Sequence, residues 1–284
     1  MVKKLILTIL LFNTLLLKAQ VNDTTNNDVE ENTTNIEASM QYMNKAAFSG
    51  RDYMVNSFLM SPAVSLNFKF GLSLGITTYF MPDDTSNTHQ WEFSLSYNKN
   101  LFDWWNIEGG YTLFRTTVNN AANKIKTKAS TQTQTDNGLS MINTLDFDWM
   151  FFQNYFYYIF GTQNGVDIMC MAGKEVALDD ITGIDDLSIS PTLTYELGNH
   201  FAKFRKLKKT ASNIPDIVNA NKFQALNYEI SLPIEYELKA FTFNFTPSFA
   251  FPINILPTES NLGSHFFYFS AMLTYRFNFK KAHQ

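Results

Sequence analysis

Between residues 241 and 254 the chain alternates strictly. Phe241, Phe243, Phe245, Pro247, Phe249, Phe251 and Ile253 fall on one side, and Thr242, Asn244, Thr246, Ser248, Ala250, Pro252 and Asn254 on the other. Successive side chains of a β-strand point to opposite faces, so this stretch is a strand with one aromatic face and one small, mostly polar face. The pattern recurs over 226–238, 187–197, 91–97 and 271–279, and more weakly over 58–68 and 72–80. Soluble strands average ~5–6 residues, whereas a tilted strand that crosses a bilayer needs ~9–11. Several of these segments reach the longer class. A soluble β-sandwich alternates too, but its outer face has no reason to be so aromatic. Tyr, Trp and Phe collect where a protein meets the lipid boundary. The expected fold class is therefore all-β, an antiparallel transmembrane β-barrel.

Composition agrees with that expectation. The chain has 27 Phe, 13 Tyr and 4 Trp, and charged residues make up only 17%. Yet mean hydropathy is slightly polar, and after the N-terminal segment no run is long enough for a spanning helix, which needs ~20 apolar residues. A helical membrane protein is excluded on that ground. A barrel is not, because only alternate residues need be apolar. The net charge of −4 gives no reason to expect nucleic acid as a partner. Cys170 is the only cysteine, so no internal disulfide holds the chain together.

The N-terminus has the layout of an export signal. Lys3 and Lys4 precede an apolar run over 5–17, and Leu17-Lys18-Ala19 offers a small residue at a cleavage point. Residues 1–19 are expected to be a signal peptide, followed over 20–41 by an Asn-, Thr- and Glu-rich disordered leader, and over 42–284 by the barrel. Turn lengths set the topology, because outer-membrane barrels have short periplasmic turns and longer outer loops. Short connections are expected at 69–70, 98–102, 146–148, 179–185 and 239–240, and long ones at 82–89, 119–137, 198–221 and 257–264. With 42–51 as the first strand and 166–177 as a strand of its own, the count is 12, with both termini periplasmic. Counts of 10 or 14 stay open, because residues 149–160 are almost continuously apolar and give no register.

Several short pieces carry a resemblance: Gly50-Arg51-Asp52-Tyr53, Ser61-Pro62, Leu101-Phe102-Asp103-Trp104-Trp105, Phe249-Ala250-Phe251-Pro252-Ile253-Asn254, and residues 266–271. They resemble a family of Bacteroidota outer-membrane β-barrels that has no assigned activity. What the resemblance implies is fold and location, the outer membrane of a Gram-negative bacterium. It implies no catalytic residues, cofactor or metal ligands.

Candidate functional residues follow from the alternation. Glu92, Glu108, Glu196, Glu229, Glu235 and Glu237 are expected to face the lumen, opposed by Arg276 and Lys239. An acid-lined path favours cations if water runs through it. A 12-stranded interior is narrow, however, and side chains can fill it. The leading expectation is a narrow passive pore for small polar solutes. The alternatives are a structural or surface-interaction barrel with a filled lumen that displays loops 119–137 and 198–221, and a lipid-active enzyme. Tyr275, Phe277 and Phe279 on the last strand resemble the signal read by the barrel-assembly machinery, although Lys280-Lys281-Ala282-His283-Gln284 follows them. An edge strand with aromatic side chains suits recognition by strand addition.

The expected partners are therefore outer-membrane lipid, lipopolysaccharide and the assembly machinery. Lys124, Lys126 and Lys128, and the group Lys203, Arg205, Lys206, Lys208 and Lys209, are outer-loop charges suited to lipopolysaccharide phosphates, or simply solvated. For catalysis, an outer-membrane phospholipase sets a lipid-facing His with Ser and Asn. Here Asn261, Ser264 and His265 are sequence neighbours, whereas a triad converges in space. Four scattered His residues and one Cys give no metal-ligand spacing. No cofactor and no enzymatic activity are expected.

Overall fold

The computed structural model describes residues 34–45, 47–48, 51–52, 58–80, 88–120, 130–161, 164–179, 185–199, 222–255 and 265–279. Seventeen strands follow one another: β1 (Asn35–Met43), β2 (Ala47–Phe48), β3 (Arg51–Asp52), β4 (Leu59–Asn67), β5 (Leu72–Tyr79), β6 (Thr88–Phe102), β7 (Trp105–Asn120), β8 (Ser130–Phe147), β9 (Met150–Gly161), β10 (Gly165–Gly173), β11 (Val176–Asp179), β12 (Asp185–Ile189), β13 (Thr192–Gly198), β14 (Gln224–Ser231), β15 (Ile234–Leu238), β16 (Phe241–Pro252) and β17 (Phe266–Asn278). β2 and β3 form a small hairpin of their own. The other fifteen form one antiparallel sheet that closes on itself: β1 pairs with β4 on one side and with β17 on the other.

Three staves are interrupted along their length, β10/β11, β12/β13 and β14/β15, so the fifteen strands make a closed barrel of 12 staves. Two of the interruptions have a direct cause. Proline has no N–H to give to a ladder, and Pro191 and Pro233 sit at two of the breaks. Their carbonyls still accept, from Lys174 N–H at 3.3 Å and Ser190 N–H at 2.9 Å, which stitches the three breaks together. A bulge between Glu196 and Leu197 leaves Leu226 as an extra residue on β14, turned inward and buried.

The two faces separate as the alternation requires. Outward residues are large and exposed: Trp91, Phe93, Leu95 and Tyr97 on β6, Phe241, Phe243 and Phe249 on β16, and Leu273, Tyr275 and Phe277 on β17. At the short-turn end, Phe102, Trp104, Trp105 and Phe147 stack at 5.5–6.1 Å between centroids. Toward the other end, Tyr228 stacks on Phe251 at 4.6 Å and Phe249 meets Phe267 at 5.1 Å. This is the double aromatic girdle of a lipid-facing barrel. β6, β7 and β8 are 15, 16 and 18 residues long, well beyond the ~9–11 needed to cross. Their outward residues turn polar at Arg115 and Thr117 on β7 and at Asn137, Thr135 and Thr133 on β8. These strands therefore continue past the apolar band as a sheet whose outer face is polar.

Several expected boundaries move. The first stave is Asn35–Met43, not 42–51, so the last residues of the expected leader are barrel wall. Its outward face is Ile36, Ala38, Met40 and Tyr42. An alanine in that row and a flanking Asn- and Thr-rich stretch hide the period. Residues 1–33, with the expected signal peptide and most of the leader, lie outside the described residues. The turn expected at 98–102 is Asp103-Trp104, and that at 146–148 is Asp148-Trp149. β8 begins at Ser130, inside the expected loop 119–137. Lys239, expected on the inner wall, is exposed in the turn between β15 and β16, where it adopts φ 57°. The β4–β5 turn depends on glycine: Gly71, at φ 96°, closes it through its N–H to the Phe68 carbonyl at 2.9 Å.

Candidate functional site: the barrel interior

The inner wall is built by register. Because opposed residues of an antiparallel pair share a face, Glu92, opposite Thr77 and Phe114, points inward with them. Glu108 shares the inner face with buried Ile142. Glu196 and Glu229 sit diagonally on β13 and β14. Glu235 accepts from Asn244 Nδ2 at 3.1 Å, and Glu237 from Thr242 Oγ1 at 3.3 Å. Arg276 Nε donates to Glu37 Oε1 at 3.0 Å across the β1–β17 seam, near the barrel's short-turn end. Alternation had also missed Glu37, Asp136 and Asp167, all on inner faces. Glu37 falls in the expected leader, Asp136 in an expected loop, and Asp167 on the expected strand 166–177, to which alternation assigns no inner face.

The wall between β5 and β9 carries an aromatic block. Phe114 (β7) meets Tyr157 (β9) edge-on at 6.4 Å, and Tyr157 stacks on Tyr155 at 5.9 Å. Tyr79 hydrogen-bonds through its hydroxyl to Glu92 Oε2. All four rings are fully buried. Gly138 makes room for this arrangement: a Cβ there would run into the Tyr157 ring and hydroxyl. Polar neighbours close the remaining gaps. Thr116 Oγ1 reaches Gln90 Oε1 at 3.4 Å, Gln134 Nε2 reaches Asp136 Oδ2 at 2.6 Å, and Gln153 Nε2 donates to Thr144 Oγ1 at 2.9 Å. The near-continuous apolar run over 149–160 is thereby explained. β9 faces lipid with Phe152, Phe156 and Tyr158 and faces its own lumen with Tyr155, Tyr157 and Ile159.

Replacing Tyr79 by Phe removes one donor from a carboxylate that water barely reaches. Such a loss costs about 1–3 kcal/mol. The expected result is a lower urea midpoint for Tyr79→Phe in refolded liposomes, at unchanged cooperativity, followed by tryptophan fluorescence.

The second half of the interior, from β10 round to β1, is emptier. A cavity of about 80 Å³ lies there, lined by Glu196, Glu229, Asn227 and a set of hydroxyls, with methionines at both ends of the arc. Tyr268 donates its hydroxyl to Glu229 Oε2 at 2.7 Å.

The remaining candidates do not converge. Tyr275, Phe277 and Phe279 are exposed on the outer face of β17, with Phe277 edge-on to Phe279 at 5.5 Å. His265 is exposed at the start of β17, 6.3 Å from the Phe251 ring. Asn261, Ser264, Lys124, Lys126, Lys128, Lys203, Arg205, Lys206, Lys208 and Lys209 lie outside the described residues. Among the described residues no three His, Cys, Asp or Glu side chains group as metal ligands.

No protein-family model matches the chain, and no curated protein matches it. Solved structures of similar fold include the KdgM porin, at 11% identity and a TM-score of 0.49, covering 86% of this chain and 99% of that one. The NanC porin is similar at 10% identity and a TM-score of 0.45, over 85% and 98%. The translocator domain of the autotransporter NalP from Neisseria meningitidis has 10% identity and a TM-score of 0.49, over 94% and 95%. At these identities and TM-scores the likenesses carry no argument, and the Bacteroidota resemblance rests on the sequence pieces that carry it.

Proposed function

We propose that the chain is an outer-membrane β-barrel of a Gram-negative envelope whose lumen is filled by its own side chains. In this reading it works as a surface scaffold, presenting its outer loops and the long β6–β8 sheet. The observation that carries the proposal is the sealing of inward polar groups. Gln90 and Asp136 are each 1% exposed, Glu92 2% and Gln153 3%. A water-filled channel would leave such groups wet. The exposed aromatic girdles support a position in lipid, and an antiparallel barrel without free edges satisfies its backbone there. Lipid and lipopolysaccharide are its surroundings in this reading. The aromatic β17 is the segment offered to the assembly machinery.

The narrow passive pore for small polar solutes is the second reading. It is favoured by the inner wall's charge, where acids such as Glu92, Glu108, Asp136 and Asp167 are opposed by few cations. Planar-bilayer recording of the refolded chain separates the two. The filled-lumen reading expects a silent membrane at moderate voltage. Steady single-channel steps from the wild type overturn it in favour of the pore.

A further inference from the structure

The cavity in the emptier half of the interior has an unusual wall. β13, β14 and β17 contribute Glu196, Glu229 and several hydroxyls, and Met43 and Met171 flank this polar arc from β1 and β10. Glu196 is 3% exposed. No lysine, arginine or histidine lines the space. An ionisable group held inside a membrane span marks a functional site by default, and here two carboxylates share one small chamber.

The second observation is independent of charge. Asn227 is 2% exposed; its Oδ1 accepts the Phe251 N–H at 3.1 Å, and its amide nitrogen donates to no described residue. The hydroxyls of Thr194, Ser231 and Ser270, at 7–8% exposure, also have no hydrogen-bond partner among the described residues. All four line the cavity, and none is among the barrel's fully sealed polar atoms, so their hydrogen-bonding capacity is turned to whatever occupies that space.

The chemistry of that occupant follows from the wall. Two carboxylates and three hydroxyl oxygens accept hydrogen bonds, which suits the N–H groups of an ammonium. The Asn227 amide donates, which calls for an oxygen on the same molecule. Size sets the rest. A cavity of about 80 Å³ is roughly half of the ~150 Å³ that holds a benzene, enough for about four heavy atoms. A bare metal ion fits less well, since it draws its oxygens in to ~2.3–2.6 Å and would leave no such void. We propose that the barrel interior binds a small protonated amino alcohol of ethanolammonium's size between Glu196 and Glu229. The site stands whether or not the lumen conducts.

The test is calorimetric titration of the refolded full chain in detergent micelles with ethanolammonium chloride, alongside sodium chloride, 1-propanol and tetramethylammonium chloride. Saturable binding is expected for ethanolammonium alone. The isosteric double variant Glu196→Gln/Glu229→Gln should weaken it at least ten-fold. Met171→Phe, which fills the space without touching charge, should do the same. Both variants are first checked for the folded, heat-modifiable band on a gel. Three results overturn the proposal: no saturable heat from folded wild type, undiminished binding in a folded variant of either kind, or equal binding of sodium.

Discussion

A barrel carrying Tyr155→Ala together with Tyr157→Ala is expected to conduct ions in planar bilayers, where the filled-lumen reading expects a silent wild type. The two rings are consecutive inward residues of β9, stacked on each other and braced by Phe114. An aromatic side chain of this kind buries roughly 150–250 Å², so their loss opens the section of lumen that is most tightly shut. Nothing in the ladder is touched, since β9 pairs with β8 and β10 through its backbone. Truncating a buried aromatic costs about 3–5 kcal/mol, and the gel shift on boiling shows whether the barrel survives. The new current should prefer cations, because Glu92, Asp136 and Asp167 stand on the inner wall around the gap. Measurement is by single-channel recording with a salt gradient for the reversal potential. A double variant that migrates as a folded barrel and stays silent refutes the idea that these rings are the block. An anion preference refutes the assignment of the acids to the path.

The outer face of this barrel was the legible part, and the reason is physical. Lipid demands an apolar residue at every outward position, so rows such as Phe241, Phe243, Phe245 or Leu273, Tyr275, Phe277 stand out from their polar neighbours. Where either solvent changes, the signal fails. On β9 the inner face is aromatic as well, so Tyr155 and Tyr157 merge with Phe156 and Tyr158 into one run and the register vanishes. At the start of β8 both faces are polar, so Thr133, Gln134, Thr135 and Asp136 look like a loop although they are paired strand. The six acidic lumen candidates could be placed on the inner side by counting in twos from lipid-facing neighbours. Their company could not. That Glu92 meets Tyr79, or that Glu229 meets Tyr268 across 39 residues, depends on which staves are adjacent and at what register. The cavity is further from reach still, since it is defined by what the side chains of β10, β13, β14, β16, β17 and β1 leave unfilled.

Deleting residues 34–41 is expected to abolish the folded barrel. Were these residues a disordered leader, their loss would cost nothing. In the structure they are the stave that closes the sheet. Asn35 to Met43 pairs residue by residue with Asn278 to Ser270 on one side and with Asn67 to Leu59 on the other. Removing it exposes two strand edges, β4 and β17, to lipid. Each N–H or C=O left unsatisfied there costs several kcal/mol, so the sum exceeds any domain's stability of ~5–15 kcal/mol. It also strips Arg276 of Glu37, its partner across the seam. The expected readout is complete loss of the heat-modifiable band and of protease resistance after refolding into liposomes. Gln41→Ala is the control: it removes an acceptor for Ser61 Oγ, at 3.2 Å, but leaves both ladders whole, and should refold with a modestly lowered urea midpoint. A deletion variant that still shows the compact band on gels would mean that β17 closes directly on β4 in a smaller barrel. In that case the Glu37–Arg276 seam is an accessory of the fold and not its clasp.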